Sequence, residues 1–302
     1  MSYSLRHRKS SRAYYKMFDI INTCLMLIIA FITLYPFWYC LILSFNDGID
    51  ALKGPLYFLP RKISLENYEF VLNSPYILTA LRNSVLRAVL GSVLSCAFTG
   101  LVAYGLSKRE IFGRKAYMIY FTITMYFSGG MIPSYLLIKN LGLLDNFLVY
   151  IIPTMFGIFN AILFIAYYDS IPKELEESAF IDGAGVINIF FRIIFPTSLP
   201  IFATIALFTI VSQWNSYFDT LIYTSSDSLV TMQAVMSRMI AMAEAANEMN
   251  SKLAAGSTAV YAISPVTVRV ATLIVTAFPI TVVYPFLQKY FVKGIMLGAV
   301  KG

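Results

Sequence analysis

Six stretches of the chain, near residues 18–44, 82–106, 116–138, 147–168, 197–220 and 267–288, are mostly apolar, and polar segments separate them. A membrane-crossing helix needs about 20 predominantly apolar residues, so the pattern predicts six spans. The first is the cleanest: Phe18 to Phe45 carries one charge, Asp19, at its start. The fifth and sixth are nearly as clean, whereas the second holds Arg82 and Arg87 in its first turns. Aromatic residues gather near several ends (Tyr35, Trp38 and Tyr39; Tyr117 and Tyr120; Tyr167 and Tyr168; Tyr284), as interfacial belts do; packing within a bundle accounts for any one of them equally well. Prolines inside the apolar runs (Pro36, Pro153, Pro279, Pro285) are tolerated where neighbouring helices satisfy the freed carbonyls. The segment from about Leu221 to Pro265 is too long for a simple turn. Its methionines at 232, 236, 239 and 242 fall at helical spacing. They read as packing beneath a loop, or alternatively as an adaptable contact surface for a partner protein.

Composition agrees with the pattern. The 302 residues are 58% hydrophobic and 13% charged, with a mean hydropathy of +0.70, against about 25% charged in a soluble domain. Lys and Arg are placed asymmetrically. Arg6, Arg8, Lys9, Arg12 and Lys16 lie before the first run, Lys108, Arg109, Arg114 and Lys115 after the second, Lys173 and Arg192 after the fourth, and Lys289, Lys293 and Lys301 in the C-terminal tail. Only Lys53, Arg61, Lys62, Lys139, Arg238 and Lys252 fall on the opposite side. Positive residues favour the cytoplasmic face, so both termini are expected inside. The net charge of +7 follows from that asymmetry and argues against nucleic-acid binding.

The first run is longer than the 7–15 residues of a signal peptide's apolar core, and no small-residue cleavage site follows it. Cys24, Cys40 and Cys96 all fall in apolar runs, at spacings that suit neither a metal nor a disulfide framework, and read as small hydrophobes. The single histidine, His7, sits in the basic tail, so no metal site or catalytic cluster is in prospect. No phosphate-binding G-x-x-x-x-G-K-[ST] loop occurs, and the chain is expected to hold no nucleotide of its own.

Residues 169–196 do not look like a loop. Ser170 is a plausible N-cap and Pro172 suits a first helical position. Glu174, Glu176 and Glu177 follow, where a helix dipole favours anions. Gly183 and Gly185 end this piece, and a second runs to Pro196. The expectation is a helix–turn–helix elbow along the cytoplasmic face, acidic on one side and apolar on the other. A solvated connector is the plainer alternative.

Glu177-Ser178-Ala179, with Gly183 after three more residues and then Ile193-x-Phe195-Pro196, closely resembles the E-A-A-x-x-x-G-x9-I-x-L-P motif of ATP-binding-cassette importer permeases. Ser178 stands for an alanine and Phe195 for a leucine, both mild departures. Asn83-Ser84, Ala103-Tyr104-Gly105-Leu106-Ser107-Lys108-Arg109, Trp214-Asn215 and the tail from Gln288 to Gly302 extend the resemblance to the carbohydrate-uptake branch, near MalG. Phe127-Ser-Gly-Gly-Met-Ile-Pro133 and Leu141-Gly-Leu resemble the subgroup typified by LplC, associated with complex oligosaccharides.

The resemblance implies an all-α polytopic membrane protein of the type I importer permease fold: a basic cytoplasmic tail over 1–17, a six-span domain over 18–288 and a cytoplasmic tail over 289–302. It implies a homologous but non-identical permease of the MalF or LplB kind as partner, two cytosolic ATPase subunits that bind ATP and magnesium, an extracytoplasmic solute-binding protein, and an oligosaccharide as cargo. The elbow then docks on the ATPase through Glu174, Glu177, Ser178, Ala179, Asp182, Gly183, Ile193 and Pro196. Lys293, Gly294, Gly298 and Gly302 belong to a tail between the ATPases, and Arg87, Trp214 and Asn215 are candidates for the translocation pathway. Arg87 lies roughly 7–8 Å deeper than Arg82 along a helix. At that depth it is expected to pair with a carboxylate of a neighbouring helix or, alternatively, to attract an acidic sugar or to snorkel toward the interface. Two other classes compete. A secondary transporter needs buried carboxylates near mid-membrane, for which Asp219 is the nearest candidate, and a membrane enzyme needs a catalytic cluster that the sequence lacks.

Overall fold

The computed structural model describes residues 3–253, 264 and 266–282. These residues are helical almost throughout and contain no strand, only an isolated bridge between Asn46 and Ile63. The chain divides into two units, one of Met1–Leu72 with Met242–Ile274 and one of Asn73–Ala241 with Val275–Gly302.

In the first unit, α1 (Tyr3–Ser44) is a single helix with no glycine, and Pro36 does not break it. None of its most apolar stretch, within Lys16–Ser44, is buried. It ends where Asn67 of α2 (Glu66–Leu72) donates to the carbonyls of Ser44 and Asn46 at 3.1 and 2.8 Å. Asn67 Oδ1 in turn accepts from Thr267 Oγ1 at 2.8 Å, at the start of α12 (Val266–Val282). Ile42, Leu43, Leu56 and Val270 form the small core beneath.

The second unit is built around α3 (Ile77–Ser107). Its buried face is a stripe of small residues: Ala80, Ser84, Ala88, Ser92, Ser95, Thr99 and Ala103. Small residues let helices approach closely in a membrane, where packing rather than hydrophobicity drives association. The approach is tightest at the glycines. A Cβ on Gly100 would meet the Phe202 ring at 2.6 Å, and one on Gly91 would meet Gln213 Nε2 at 2.8 Å. Against this stripe lie α6 (Ile158–Tyr168) and α9 (Leu199–Asn215).

Of the six apolar runs, two form unbroken helices long enough to cross a membrane, Lys16–Ser44 and Ile77–Ser107. Three form bent pairs. α4 (Arg114–Tyr126) and α5 (Met131–Asn140) meet at 115°, so the run near 116–138 is either a broken span or a re-entrant loop. Ser128-Gly129-Gly130 interrupts the helix there, and Pro133 opens the next one. The run near 147–168 is helical only from Ile158. Two 3-10 turns, Phe147–Tyr150 and Ile152–Thr154, precede it at 46°, because Asn146 caps the first and Pro153 starts the second. α8 (Val186–Thr197) and α9 meet at 79°, with Pro200 in the first turn of α9. The fifth run ends at Asn215 rather than 220, and α10 (Phe218–Tyr223) follows. α12 is the sixth run as far as Val282; residues 283–302 lie outside the described residues.

The long segment after 221 is not a loop for most of its length. Met232 to Leu253 form a helix, α11. The methionine stripe on it is graded: Met232 is buried, Met236 and Met239 are half-buried, and Met242 is exposed.

Candidate functional site

The elbow begins after α6. Ser170 does not cap α7 (Glu174–Ile181): its hydroxyl donates back to the Tyr167 carbonyl at 2.6 Å and closes α6 instead. Glu174, Glu176 and Glu177 do occupy the first turn of α7. The helix stops in a Schellman arrangement: Ala184 N–H donates to Ala179 O at 2.9 Å and Gly183 N–H to Phe180 O at 3.0 Å. Gly183 is the residue that reverses the chain, at φ +78°, with nothing within 4 Å of where a Cβ would stand. Its requirement is therefore conformational, not steric. Gly185 has an ordinary extended backbone. The second limb, α8, contains one wide π-helical turn, Phe190–Ile194.

The two limbs rest on the foot of α3. Ala179, Ile189, Phe190 and Ile194 are buried in one cluster with Ala103, Tyr104 and Leu106 of α3 and with Phe164 and Tyr168 of α6. The elbow is not acidic on one side and apolar on the other. Ala179 is the only buried residue of α7, so Phe180, Ile181 and Leu175 are exposed alongside Glu174, Glu177 and Asp182. Glu176 points the other way: it forms an ion pair with Lys108, whose ammonium also sits 4.2 Å over the Tyr104 ring. Arg114 donates to the Leu106 carbonyl at 2.6 Å, with Asp169 4.0 Å away. Of the expected elbow residues, Ser178 and Pro196 are exposed and Ile193 is half-buried.

Arg87 lies at the other end of α3 and is 1% exposed. Every nitrogen of its guanidinium is engaged. Nε and Nη2 donate to Gln213 Oε1 at 3.2 and 3.0 Å, Nη2 donates to Asp219 Oδ2 at 2.5 Å, and Nη1 donates to Asp219 Oδ1 and Ser216 O at 3.2 and 3.3 Å. The Tyr150 ring lies 4.5 Å below it. Gln213 Nε2 donates to Thr154 Oγ1 and Tyr150 O at 2.7 and 3.3 Å. The bidentate fork onto one carboxylate is the geometry in which arginine binds most strongly. Around it, Asn83 donates to Ser228 O and Val230 O, Ser84 Oγ accepts from Met232 N–H, and Tyr150 donates to Leu229 O. The head of α3 thereby ties down the whole segment between α9 and α11.

The three pathway candidates are held by different elements. Trp214 is buried and donates to Thr276 O at 3.3 Å, whereas Asn215 is exposed and accepts from Gln233 at 3.3 Å. Lys293, Gly294, Gly298 and Gly302 lie outside the described residues. Sequence reasoning missed Gln213, Tyr150 and the Lys108–Glu176 pair. A glutamine inside an otherwise apolar run was the available signal, since polar groups at that depth seek partners.

Residues 97–297 match the family described as "binding-protein-dependent transport system inner membrane component". The chain is 36% identical over 287 residues, 95% of its length and 99% of the relative's, to the polygalacturonan/rhamnogalacturonan transport system permease protein YtcP of Bacillus subtilis. It is 35% identical to protein LplC of the same organism, over 95% of this chain and 96% of that one. A crystal structure of a bacterial ABC transporter involved in the import of the acidic polysaccharide alginate superposes with a TM-score of 0.81 at 33% identity, covering 91% of this chain and 97% of that chain. The all-helical bundle, the elbow seated on the foot of its central helix and these likenesses lead to one conclusion: the chain belongs to the binding-protein-dependent transport system inner membrane components, and is a transport permease rather than an enzyme.

Proposed function

We propose that this chain is one half of a heterodimeric, ATP-driven oligosaccharide import pathway in the bacterial cytoplasmic membrane, with six spans, both termini cytoplasmic, and α7–α8 as the element that docks on a cytosolic ATPase. ATP and magnesium belong to the two ATPase subunits, and a solute-binding protein delivers cargo from outside. The observation that carries the reading is the elbow. It rests through Ala179, Ile189, Phe190 and Ile194 on the same helix whose far end holds the Arg87 cluster, while Glu174, Glu177, Asp182, Phe180 and Ile181 remain exposed for a partner. A push on α7 is thus delivered to α3 through packed side chains, and packed elements move as units rather than deforming.

Gly183→Val tests this. A β-branched residue at φ +78° is strained, at a cost of about 1–2 kcal/mol. The expected result is a complex that assembles and hydrolyses ATP but whose hydrolysis no longer drives uptake. Glu177→Lys is expected to weaken ATPase association. Wild-type coupling in both variants, measured as sugar imported per ATP in proteoliposomes, would remove the proposal.

The cargo is an acidic oligosaccharide. One relative is named for polygalacturonan and rhamnogalacturonan, and a solved relative for an acidic polysaccharide. Arg87 is not its receptor in this conformation, because all three of its nitrogens are engaged within the chain. Competition of uptake by neutral and uronic-acid oligosaccharides decides the point: equal competition sinks the acidic reading.

A further inference from the structure

Between α1 and α2 the chain makes an excursion that the transport reading leaves unused. Pro55-Leu56-Tyr57-Phe58-Leu59-Pro60 contains no charge. Leu56 is buried in the small core with Ile42 and Leu43, but Tyr57, Phe58 and Leu59 are 62%, 60% and 74% exposed. Three consecutive large apolar side chains are thus presented outward at the tip of a loop.

The tip does not project away from the helix end but runs back along α1. The return strand is fixed by polar contacts at the level of Asn46: Asp47 N–H donates to Lys62 O at 2.8 Å, Ser64 N–H to Phe45 O at 2.8 Å, and Asn46 Oδ1 accepts from the backbone of Arg61 and Lys62 at 2.9 and 3.1 Å. From there the tip reaches back to Trp38, whose Nε1 donates to Phe58 O at 3.1 Å, and to Tyr35, whose hydroxyl donates to Tyr57 O at 3.4 Å. Trp38 precedes Ser44, the last residue of α1, by six residues, roughly 9 Å along a helix. The Tyr35 and Phe58 rings also meet edge-on at 6.0 Å. The tip therefore lies at the depth of the aromatic residues of α1, beside a helix whose own surface is exposed. Two of its carbonyls are satisfied by side chains of that helix, as backbone in a low-dielectric layer requires.

The charges are arranged to match. Arg61 pairs with Asp50 at 2.9 Å and Lys62 with Asp47 at 2.7 Å, while Lys53 is 69% exposed. All five charged groups sit at the helix-end level and none at the tip. An apolar wedge of aromatic and aliphatic side chains under a charged rim, here three cations against two carboxylates, is the amphipathic pattern that seats a segment between headgroups and acyl chains.

We propose that Tyr57-Phe58-Leu59 is an interfacial lipid anchor, inserted at the headgroup–acyl boundary beside α1, with Lys53, Arg61 and Lys62 at the level of the lipid phosphates. The proposal rests on α1 crossing the membrane. Its consequence is that α1, whose most apolar stretch is unpacked within the chain, is fixed in depth and tilt by lipid through the loop that is anchored to its packed outer end.

The test uses the assembled transporter in nanodiscs of mixed phosphatidylcholine and phosphatidylglycerol, with Cys24, Cys40 and Cys96 replaced by alanine. Spin labels are attached in Phe58→Cys, Leu59→Cys, Lys53→Cys and Ile32→Cys chains, and collisions with oxygen and with a water-soluble nickel chelate are compared. At positions 58 and 59 oxygen is expected to outweigh the chelate several-fold relative to position 53. A ratio equal to that at position 53 places the tip no deeper than the phosphates and overturns the proposal. Shielding from both reagents places it under another protein chain and overturns it equally. The Ile32→Cys label reports separately whether α1 crosses the bilayer, so failure of the anchor and failure of the membrane reading are distinct results.

Discussion

The two unbroken apolar helices, α1 and α3, look alike in sequence and live in opposite surroundings. No residue in the most apolar stretch of α1 is buried, against 44% in that of α3. The difference lies in which residues interrupt the large apolar side chains. From Met17 to Trp38, α1 carries Met, Ile, Leu, Phe and Trp around its circumference, and these remain exposed. α3 sets Ser84, Ser92, Ser95, Thr99 and Gly100 along one face, and that face is buried. Hydropathy locates a helix in the membrane, while a small-residue stripe tells which of its faces meets protein. The ion pairs follow the same division. The cation of Arg87–Asp219 is buried beside α3, whereas Lys62–Asp47 and Arg61–Asp50 at the end of α1 join exposed cations to shielded carboxylates.

Breaking each pair should therefore give very different costs. Arg87→Gln leaves Asp219 without its cation, and removing one partner of a buried pair costs about 3–5 kcal/mol. The expected outcome is loss of assembled complex on size-exclusion chromatography. The double change Arg87→Met with Asp219→Leu should recover most of it, because two apolar groups leave no orphaned charge. Lys62→Ala, at a pair whose lysine is 69% exposed, is expected to leave the assembled complex intact on the same column. Similar losses from the buried and the open pair would break the comparison.

Next in size is packing. Gly100→Leu puts a side chain where the Phe202 ring stands, and that ring is already held by Phe164 and Phe195 at 4.6 and 4.9 Å. Overpacking of this kind costs about 1–3 kcal/mol, visible as a lowered melting temperature of the purified complex. Ile32→Ala on the open surface of α1 should change it by less than about 0.5 kcal/mol. A large loss from Ile32→Ala would sharpen the picture differently, by showing that the partner permease covers that face.

How much of this was legible in the sequence depends on which force shaped each part. The apolar runs and the elbow were legible, because lipid demands length and composition, and because glutamates in a first turn and a glycine at its end carry local signals. Gly183 reads as the end of the first limb, and its φ of +78° with open space around it shows that the turn needs its backbone conformation and not a close approach. The bends were less legible. Ser128-Gly129-Gly130 and Pro153 mark where helices can break, but the 115° and 46° turns depend on tertiary packing that no local signal encodes. Glu176 read as one of three equivalent dipole-favoured acids, yet it alone turns inward to Lys108. Periodicity could have separated it from Glu177, but the partner lies 68 residues away in sequence.

The smallest expected effect is a pH dependence of the loop that carries the pairs at the end of α1. The hydrogen bond from Lys62 holds the Asp47 carboxyl below the usual aspartate range, helped by the Asp50 backbone N–H, and the same bond raises Lys62 above the usual lysine range. For Asp47 the folded pKa lies below the unfolded one, so its contribution is complete above an unfolded value of about 3.9 and fades as pH falls through the depressed folded value. For Lys62 the folded pKa lies above the unfolded one, so its contribution is complete below about 10.4 and fades as pH rises through the raised value. Between those limits the loop should be indifferent to pH. A fluorophore attached through Leu52→Cys on the exposed rim is expected to keep constant mobility through the neutral range and to loosen only in acid, below the usual aspartate range. Lys62→Gln should remove the part of that acid response carried by Asp47 and leave the part carried by Asp50, whose carboxyl the hydrogen bond from Arg61 also holds below the usual range. A transition near pH 6–7 in the wild-type loop would contradict the assignment, because neither group of this pair titrates there.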